Sequence, residues 1–186
     1  MKLTLARHGE TIENVNRIVQ GQSHGTLTEN GHQQAEELAK KLQSRHFDYI
    51  YSSDLKRCTD TAEYIRKFHQ KTPFKLTESL REYSFGRYHG KPSNEIEWDK
   101  IPGDIYIRKP GGGESLLEGR DRVLKFLGKI YEQYPSENIL FITHGGPIRI
   151  IRQYMLDRPL DELRNFEIEN CEVFEFAITE PIIIDP

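Results

Sequence analysis

Apolar side chains recur along this chain with two different periods. Short apolar or alternating runs predict strands, and apolar positions spaced three and four residues apart predict helices. In 28–43, for example, Ala35, Leu38, Ala39 and Leu42 form one stripe with charged residues between them. The predicted strands are 2–6, 48–52, 74–77, 138–143, 166–168 and 171–178, and the predicted helices are 28–43, 54–68, 114–134 and 146–156.

The alternation of strands with helices predicts an α/β fold, a three-layer α/β/α sandwich with a mostly parallel central sheet. The most apolar strand contains the uninterrupted run 139–142, which is typical of a strand covered on both faces. The stretch 83–113 shows neither period and is interrupted by Gly and Pro. We therefore expect one domain spanning 1–186, with an irregular lid insertion at about 83–113 over one edge of the sheet.

Composition and charge narrow the class of function. The 26 basic and 29 acidic residues give a net charge of −3, which argues against a nucleic-acid or anionic-membrane binder. No apolar run approaches the roughly 20 residues of a membrane span. Charged residues come too early in the first seven positions to leave room for the apolar core of a signal peptide. Cys58 and Cys171 lack the spacing of a disulfide scaffold or a zinc site. We expect a cytoplasmic monomer or homodimer that acts on a small molecule.

Chemically active side chains follow the predicted strands at four places. Arg7 and His8 follow the first strand, and Arg57 lies in the first turn after the second. Glu82 follows the third strand, and His144 follows the strand 138–143. Because ligands of open parallel sheets bind outside the carboxyl ends of the strands, we expect these five side chains to converge at one edge.

This set of residue types suits the chemistry of a phosphate ester. Arginine grips phosphate with a planar fork of donors, and a neutral imidazole is a nucleophile near pH 7. A second imidazole can stabilise a developing negative oxygen, and a carboxylic acid can protonate a leaving alkoxide and then activate water. Each residue alone is more often structural or solvated. Together they favour an anion site, and phosphoryl transfer through a phosphohistidine would use them all without a metal.

The ordered series of motifs resembles the histidine phosphatase superfamily, which has the phosphoglycerate-mutase-like fold. A lone Arg-His-Gly tripeptide would be a weak signal, whereas the full series in order, from 2 to about 176, is specific. The matching blocks are Leu5-Ala6-Arg7-His8-Gly9-Glu10-Thr11 with Asn14, the stretch 27–35, Ser52-Ser53-Asp54-Leu55-Lys56-Arg57, Leu80-Arg81-Glu82, Pro110-Gly111-Gly112-Gly113-Glu114-Ser115 and Thr143-His144-Gly145-Gly146-Pro147-Ile148-Arg149.

The resemblance implies a role for each matching residue. His8 would accept the phosphoryl group, and Glu82 would act as the general acid and then as the base for water. Arg7, Arg57 and His144 would bind the phosphate oxygens and stabilise charge during transfer. The further substrate contacts that it implies are Asn14, Gln20, Gly21 and the backbone N–H of Gly145. It implies neither a metal nor a cofactor.

The resemblance also bears on the branch of the superfamily. Mutases of this fold are usually longer and carry an adjacent Arg pair for the substrate carboxylate, whereas here Arg120 and Arg122 come nearest to such a pair. The stretches 85–90 and 110–115 look more like the phosphatase branch. The prediction is a phosphoric monoester hydrolase acting on a small phosphorylated metabolite, such as a sugar phosphate or alpha-ribazole phosphate. A cofactor-dependent phosphoglycerate mutase and a non-catalytic phospho-ligand binder remain as alternatives.

Several basic residues of the 83–113 insertion have two interpretations. Lys91, Arg108 and Lys109 either attract an anionic substrate or are ordinary solvated surface charges. The sequence does not decide between these interpretations, because the positions of residues in an irregular segment relative to a pocket cannot be derived from periodicity.

Overall fold

A five-stranded sheet forms the centre of the fold. The computed structural model describes residues 1–184. The strands are β1 (Lys2–Arg7), β2 (Tyr49–Ser53), β3 (Phe74–Thr77), β4 (Asn138–Thr143) and β5 (Val173–Ala177), in the order β3-β2-β4-β1-β5. β1, β2, β3 and β4 pair in parallel, and β5 is antiparallel to β1. This confirms the predicted α/β fold with a mostly parallel sheet.

Helices cover both faces of this sheet. The helices are α1 (Ile12–Val15), α2 (Glu29–Leu42), α3 (Lys56–Arg66), α4 (Leu116–Gln133), α5 (Gly145–Met155) and α6 (Glu162–Asn165). Successive residues of β4 point to opposite faces, as the pleat of a strand requires. Leu140 and Ile142 pack with α2 and α3, whereas Ile139 and Phe141 pack with α4 and α5. Within residues 1–184, no helix is long and apolar enough to cross a membrane.

Side-chain caps fix the starts of two long helices. The hydroxyl of Thr28 accepts a hydrogen bond from the backbone N–H of Gly31 at the start of α2. Ser115 and Glu118 form a reciprocal capping box at the start of α4. Such caps satisfy backbone donors that the first helical turn leaves free, so these helices begin close to where the apolar pattern predicts.

Three short elements depart from the prediction. The predicted strand 166–168 is wrong, because this segment pairs with none of the strands in residues 1–184. Its carbonyl groups instead accept hydrogen bonds from arginine side chains, Phe166 from Arg149 and Ile168 from Arg7. The helices α1 and α6 were not predicted, since four residues are too few to show a helical period.

The 83–113 insertion contains only short 3₁₀ turns, at Gly86–Tyr88, Ser93–Glu95, Trp98–Lys100 and Pro110–Gly112. Backbone hydrogen bonds join it to the loop that follows α1. The N–H of Val19 donates to Lys91 O at 2.9 Å, and the N–H of Gly90 donates back to Val19 O at 2.9 Å. This irregular segment therefore forms part of the wall beside the carboxyl end of β1.

Candidate active site

The carboxyl ends of β1 and β4 lie side by side and bring two histidines together. His8 follows β1 and His144 follows β4, and their rings meet edge to face with centroids 5.2 Å apart. Both rings are almost completely buried. Arg57, in the first turn of α3, contacts His144, and Glu82 binds the start of α5. The structure thus brings together the five side chains that the sequence predicts at this edge.

Hydrogen bonding fixes which nitrogen of His8 can act as a nucleophile. The Nδ1 of His8 lies 2.8 Å from the carbonyl oxygen of Gly9, which can only accept, so Nδ1 carries the proton. The backbone N–H of Gly9 in turn donates to the hydroxyl of Thr61 at 3.0 Å. In the neutral ring, Nε2 therefore keeps its lone pair, and nothing among the described residues bonds to it.

Arg57 and His144 form a buried hydrogen-bonded pair. The Nε of Arg57 donates to Nδ1 of His144 at 3.1 Å, so the ring proton is on Nε2, which donates to the hydroxyl of Ser53 at 2.8 Å. The other guanidinium nitrogens of Arg57 donate to the carbonyls of Gly21 and Ser23, both at 2.7 Å. Three of the five N–H donors of Arg57 are thus engaged, and one on each terminal nitrogen remains for a ligand.

Arg7 keeps a buried donor without a partner. One terminal nitrogen of Arg7 donates to the carbonyl of Ile168. Its Nε is buried and has no hydrogen-bond partner among the described residues. An unsatisfied buried donor costs free energy, and an oxyanion in the neighbouring cavity would satisfy it.

Glu82 is held at the N-terminus of α5. One carboxylate oxygen accepts from the N–H of Tyr83 at 3.0 Å, and the other accepts from the N–H of Gly146 at 3.1 Å. A helix N-terminus favours negative charge. A Cβ at Gly146 would lie 2.0 Å from Oε1 of Glu82, so only glycine at this position allows the carboxyl group to come so close.

A cavity of about 620 Å³ opens beside these groups. Its lining includes His8, Arg7, Arg57 and Glu82. The predicted substrate contacts Asn14, Gln20 and Gly21 also line it. Gln20 contributes a buried amide oxygen with no partner among residues 1–184. These groups present donors, a nucleophile and a carboxyl group to the same volume, which is the arrangement that phosphoryl transfer needs.

A profile of the histidine phosphatase superfamily (branch 1) matches residues 3–181. The chain belongs to the histidine phosphatase superfamily. A broad-specificity phosphatase of Saccharomyces cerevisiae is 31% identical over 192 residues, covering 96% of this chain and 78% of the yeast protein. Phosphoglycerate mutase-like protein 4 of Arabidopsis thaliana is 32% identical over 186 residues, covering 94% of this chain and 80% of that protein.

Solved structures show the same fold. YhfR of Bacillus stearothermophilus superposes with a TM-score of 0.84 at 31% identity, covering 94% of this chain and 89% of that one. The resemblance read from the motifs is thereby confirmed, and with it the phosphoglycerate-mutase-like fold.

Two residues predicted to contact substrate lie behind the cavity wall. Neither His144 nor Gly145 lines the cavity. Both ring nitrogens of His144 are already bonded, to Arg57 and to Ser53. In this tautomer Nδ1 is an acceptor and the ring proton on Nε2 is donated to Ser53, so the ring has no free donor for a phosphate oxygen. In the first turn of α5, the backbone N–H that binds Glu82 is that of Gly146.

Of the basic residues considered in the 83–113 insertion, Arg108 lines the cavity, whereas Lys91 and Lys109 do not. Arg17, Arg149 and Arg164 also line it, and the sequence analysis gave these three no role. Arg149 lies on α5 and is the last residue of the matched block that begins at Thr143. Its membership of that block is the signal from which the sequence could have placed it at the site. The other three depend on loop and inter-helix geometry, which the sequence pattern does not encode.

Arg122 stabilises the fold near Glu82. Arg122 pairs with the carboxylate of Glu114 and donates to the carbonyls of Ser79 and Arg81. These bonds hold the segment that carries Glu82, and neither Arg120 nor Arg122 lines the cavity.

Cys58 adjoins the site as an inert neighbour. Its sulfur lies 3.3 Å from Nε2 of His144. Burial raises the pKa of the Cys58 thiol to about 12, so the thiolate needed for nucleophilic attack does not form near neutral pH. Among residues 1–184, no group of three or more His, Cys, Asp or Glu side chains is placed to hold a metal ion.

Stability is expected to fall in mild acid because two histidines are buried in the neutral form. Burial lowers the pKa of His8 and of His144 well below 6.5, and the positive charges of Arg57 and Arg7 lower both further. Once unfolded, both rings titrate near 6.5, so below that pH the unfolded chain binds more protons and the free energy of unfolding decreases as pH falls.

For two such groups we expect a loss of about 2 kcal/mol between pH 6 and pH 5, and about half that dependence in His8→Gln. Urea unfolding of both proteins at the two pH values, in phosphate-free buffer, measures the difference. An identical pH dependence in the two proteins would show that His8 is not buried in the neutral form.

Proposed function

We propose that this protein is a metal-independent phosphatase that hydrolyses a small phosphomonoester through a phosphohistidine at His8. The observation that carries the proposal is the tautomer of His8. Its Nδ1 donates to the backbone while Nε2 stays unbonded. The ring lines a cavity that it shares with Arg7, Arg57 and Glu82.

In the first step, Nε2 of His8 attacks phosphorus and the P–O bond to the alcohol breaks. Glu82, as a carboxylic acid, gives its proton to the departing oxygen. In the second step, the Glu82 carboxylate takes a proton from water, the water oxygen attacks phosphorus, and the N–P bond breaks to release inorganic phosphate. One acid–base group thus serves both steps in succession.

The guanidinium groups stabilise the charge on the transferring phosphoryl group. Arg57 has one free N–H on each terminal nitrogen, and Arg7 has its unpartnered Nε. Fixed donors in a site that excludes water stabilise developing charge more strongly than water does. His144 acts through Arg57, whose side chain it orients, and through its edge-to-face contact with His8.

The relatives support a hydrolase over the two alternatives. The yeast relative named as a broad-specificity phosphatase matches nearly the whole of this chain. The mutase-like name of the Arabidopsis relative keeps a mutase as the rival. Incubation with 3-phosphoglycerate separates the two, since a phosphatase releases inorganic phosphate and a mutase forms 2-phosphoglycerate. Binding of phosphate without turnover of any ester would indicate a non-catalytic binder.

Replacing the acid is expected to affect substrates according to their leaving groups. We expect Glu82→Gln to lower kcat/KM for glycerol 3-phosphate by about 10²- to 10⁴-fold, because an alkoxide must be protonated as it leaves. The loss for 4-nitrophenyl phosphate should be much smaller, since nitrophenolate leaves without a proton. The ratio kcat/KM is the suitable readout, because it covers only the steps up to release of the alcohol.

Glu13→Gln is the matched control for this comparison. Glu13 also lines the cavity, so the substitution removes a carboxylate from the same volume without removing the proposed acid. It should change kcat/KM for the two substrates by the same factor. Equal losses for the two substrates in Glu82→Gln would exclude Glu82 as the general acid.

A further inference from the structure

His89, in the 83–113 insertion, is a histidine that the proposed reaction does not use. It is half-buried and does not line the cavity. Its Nε2 lies 2.8 Å from the backbone nitrogen of Phe85 and 3.4 Å from that of Gln22. A backbone N–H can only donate, so Nε2 accepts from both groups and the proton of the neutral ring is on Nδ1.

These two hydrogen bonds join separate segments of the chain. Phe85 belongs to the insertion, whereas Gln22 belongs to the turn 20–23 between α1 and α2. Gly21 in this turn has a left-handed backbone (φ 48°), and a Cβ there would lie 2.3 Å from Nε2 of His89. Glycine is therefore needed both for the turn and for the close approach of the ring.

The turn 20–23 also fixes the guanidinium group of Arg57. The carbonyls of Gly21 and Ser23 accept from its two terminal nitrogens, both at 2.7 Å. The side-chain amide of Gln22 donates to the backbone carbonyl of Glu82 at 3.1 Å. A displacement of the turn would remove the two acceptors that orient Arg57 towards the cavity.

Other hydrogen bonds between the loop after α1 and the insertion contain no titratable group. They are the backbone bonds of Val19 described above and the bond from the N–H of Ser93 to the carbonyl of Arg17 at 2.8 Å. They lie before residue 20, so they persist when His89 changes its protonation state. Loss of the acceptor at His89 would therefore release the turn 20–23 without detaching the insertion.

Protonation of His89 turns its acceptor into a donor. The imidazolium ring carries a proton on both nitrogens, so Nε2 would then oppose the N–H groups of Phe85 and Gln22. Both of these hydrogen bonds are lost in that form. The ring therefore holds the turn only while it is neutral.

The charged groups around His89 favour the neutral ring. Burial lowers its pKa below 6.5, and the positive charge of Arg57 on α3 lowers it further. The turn 20–23 contributes no ionisable side chain. Tyr83, from the segment before Phe85, stays neutral because burial raises its pKa. The turn is thus held at neutral pH, and protonation of the ring belongs to the acidic range.

On the segment of His89 itself, two further cations are directed to another side chain. Arg87 and Lys91 both lie over the ring of Tyr88.

We propose that His89 is a positioning residue that orients Arg57 through the turn 20–23 and releases this turn when its ring is protonated. The inference rests on the proposed phosphatase function, in which Arg57 binds the phosphoryl group. A misplacement of about 1 Å in a site can cost about 10²-fold in rate. We therefore expect part of the loss of activity in mild acid to act through His89.

Two substitutions separate the acceptor from its titration. His89→Gln keeps an oxygen acceptor that is not protonated in mild acid, whereas His89→Leu has no acceptor. At pH 7.5 we expect His89→Gln to keep kcat/KM for 4-nitrophenyl phosphate within about threefold of wild type, and His89→Leu to lower it by about tenfold or more. The His89→Leu loss should be equal for glycerol 3-phosphate, because Arg57 binds the phosphoryl group of both esters.

The pH profile distinguishes this role from a merely structural one. Dividing kcat/KM of the wild type by that of His89→Gln cancels the titration of the substrate and of the other groups in the site. We expect this ratio to fall by about threefold or more from pH 7.5 to pH 5. A constant ratio, or wild-type activity in His89→Leu at pH 7.5, would overturn the proposal.

His32→Gln is the matched control for the profile. His32 is also half-buried, but its Nδ1 lies 3.1 Å from the hydroxyl of Tyr64 and it does not line the cavity. The ratio of wild type to His32→Gln should stay constant over the same range. Thermal unfolding at each pH shows that every variant compared is folded.

Nuclear magnetic resonance tests the hydrogen bonds without turnover. We expect the amide protons of Gln22 and Phe85 to move upfield in acid with the same midpoint as the ring of His89, and to show no such midpoint in His89→Gln. A ring that stays neutral down to pH 5, or one that titrates while neither amide moves, would overturn the proposal.

The two measurements keep this proposal separate from the proposed function. The shared midpoint in a wild-type protein that hydrolyses no ester would overturn the phosphatase and support the release of the turn. Hydrolysis of 4-nitrophenyl phosphate with identical pH profiles for wild type and His89→Gln would support the phosphatase and overturn the role of His89.

Discussion

His8→Gln is expected to lower kcat by about 10⁴-fold or more, because it removes the atom that forms the covalent intermediate. No other described side chain replaces it. The ring of His144 is bonded at both nitrogens, and the thiol of Cys58 is held protonated by burial, which raises its pKa to about 12. The measurement is the release of phosphate from 4-nitrophenyl phosphate at saturating concentration.

His69→Gln is the matched control for this substitution. His69 is also buried, and its Nε2 lies 3.2 Å from the carbonyl of Leu42, away from the cavity. Thermal unfolding of both variants shows whether each still folds. A folded His8→Gln protein that retains a tenth or more of the wild-type rate would mean that a different group attacks phosphorus.

Gly146→Ala is expected to lower kcat/KM for alkyl phosphates by about 10²- to 10⁴-fold, as though the general acid itself were lost. An added Cβ would lie 2.0 Å from Oε1 of Glu82 and 2.8 Å from the ring of Tyr83. The carboxyl group is the flexible end of its side chain, so it moves away and its bond to the Gly146 N–H is lost. The loss should again be much smaller for 4-nitrophenyl phosphate.

Gly128→Ala serves as the control for a glycine-to-alanine change within a helix. A Cβ at Gly128 would meet Ile182 at an ordinary 3.5 Å. Alanine in the middle of α4 should leave kcat/KM unchanged and raise stability by up to about 1 kcal/mol. If Gly146→Ala lowered kcat/KM equally for alkyl and nitrophenyl esters, its effect would not act through Glu82.

The sequence predicts those elements whose pattern is set by burial. β4 begins and ends at the predicted residues 138 and 143, because it is central in the sheet and covered on both faces. The convergence of His8, Arg57 and His144 follows from the same topology, since parallel strands bring their carboxyl ends to one edge. A correct order of strands and helices was thus enough to predict which side chains meet.

Features that depend on particular tertiary contacts could not be predicted. The segment 166–168 alternates like a strand, yet Arg7 and Arg149 bind its carbonyls. The orientation of the His144 ring depends on its hydrogen bonds with Arg57 and Ser53, which are distant in sequence. The position of an arginine relative to the cavity likewise depends on neighbours that periodicity does not reveal, so the places of Arg17 and Arg164 in the lining emerge only from the structure.

Trapping the phosphorylated enzyme tests the central claim most directly. The wild-type protein is mixed with 4-nitrophenyl phosphate, quenched in alkaline denaturant because the N–P bond is labile in acid, digested and analysed by mass spectrometry. The account predicts one phosphoryl group on His8, a larger fraction of it in Glu82→Gln because water is no longer activated, and none in His8→Gln. A phosphoryl group on any other residue, or equal labelling of wild type and His8→Gln, would contradict it.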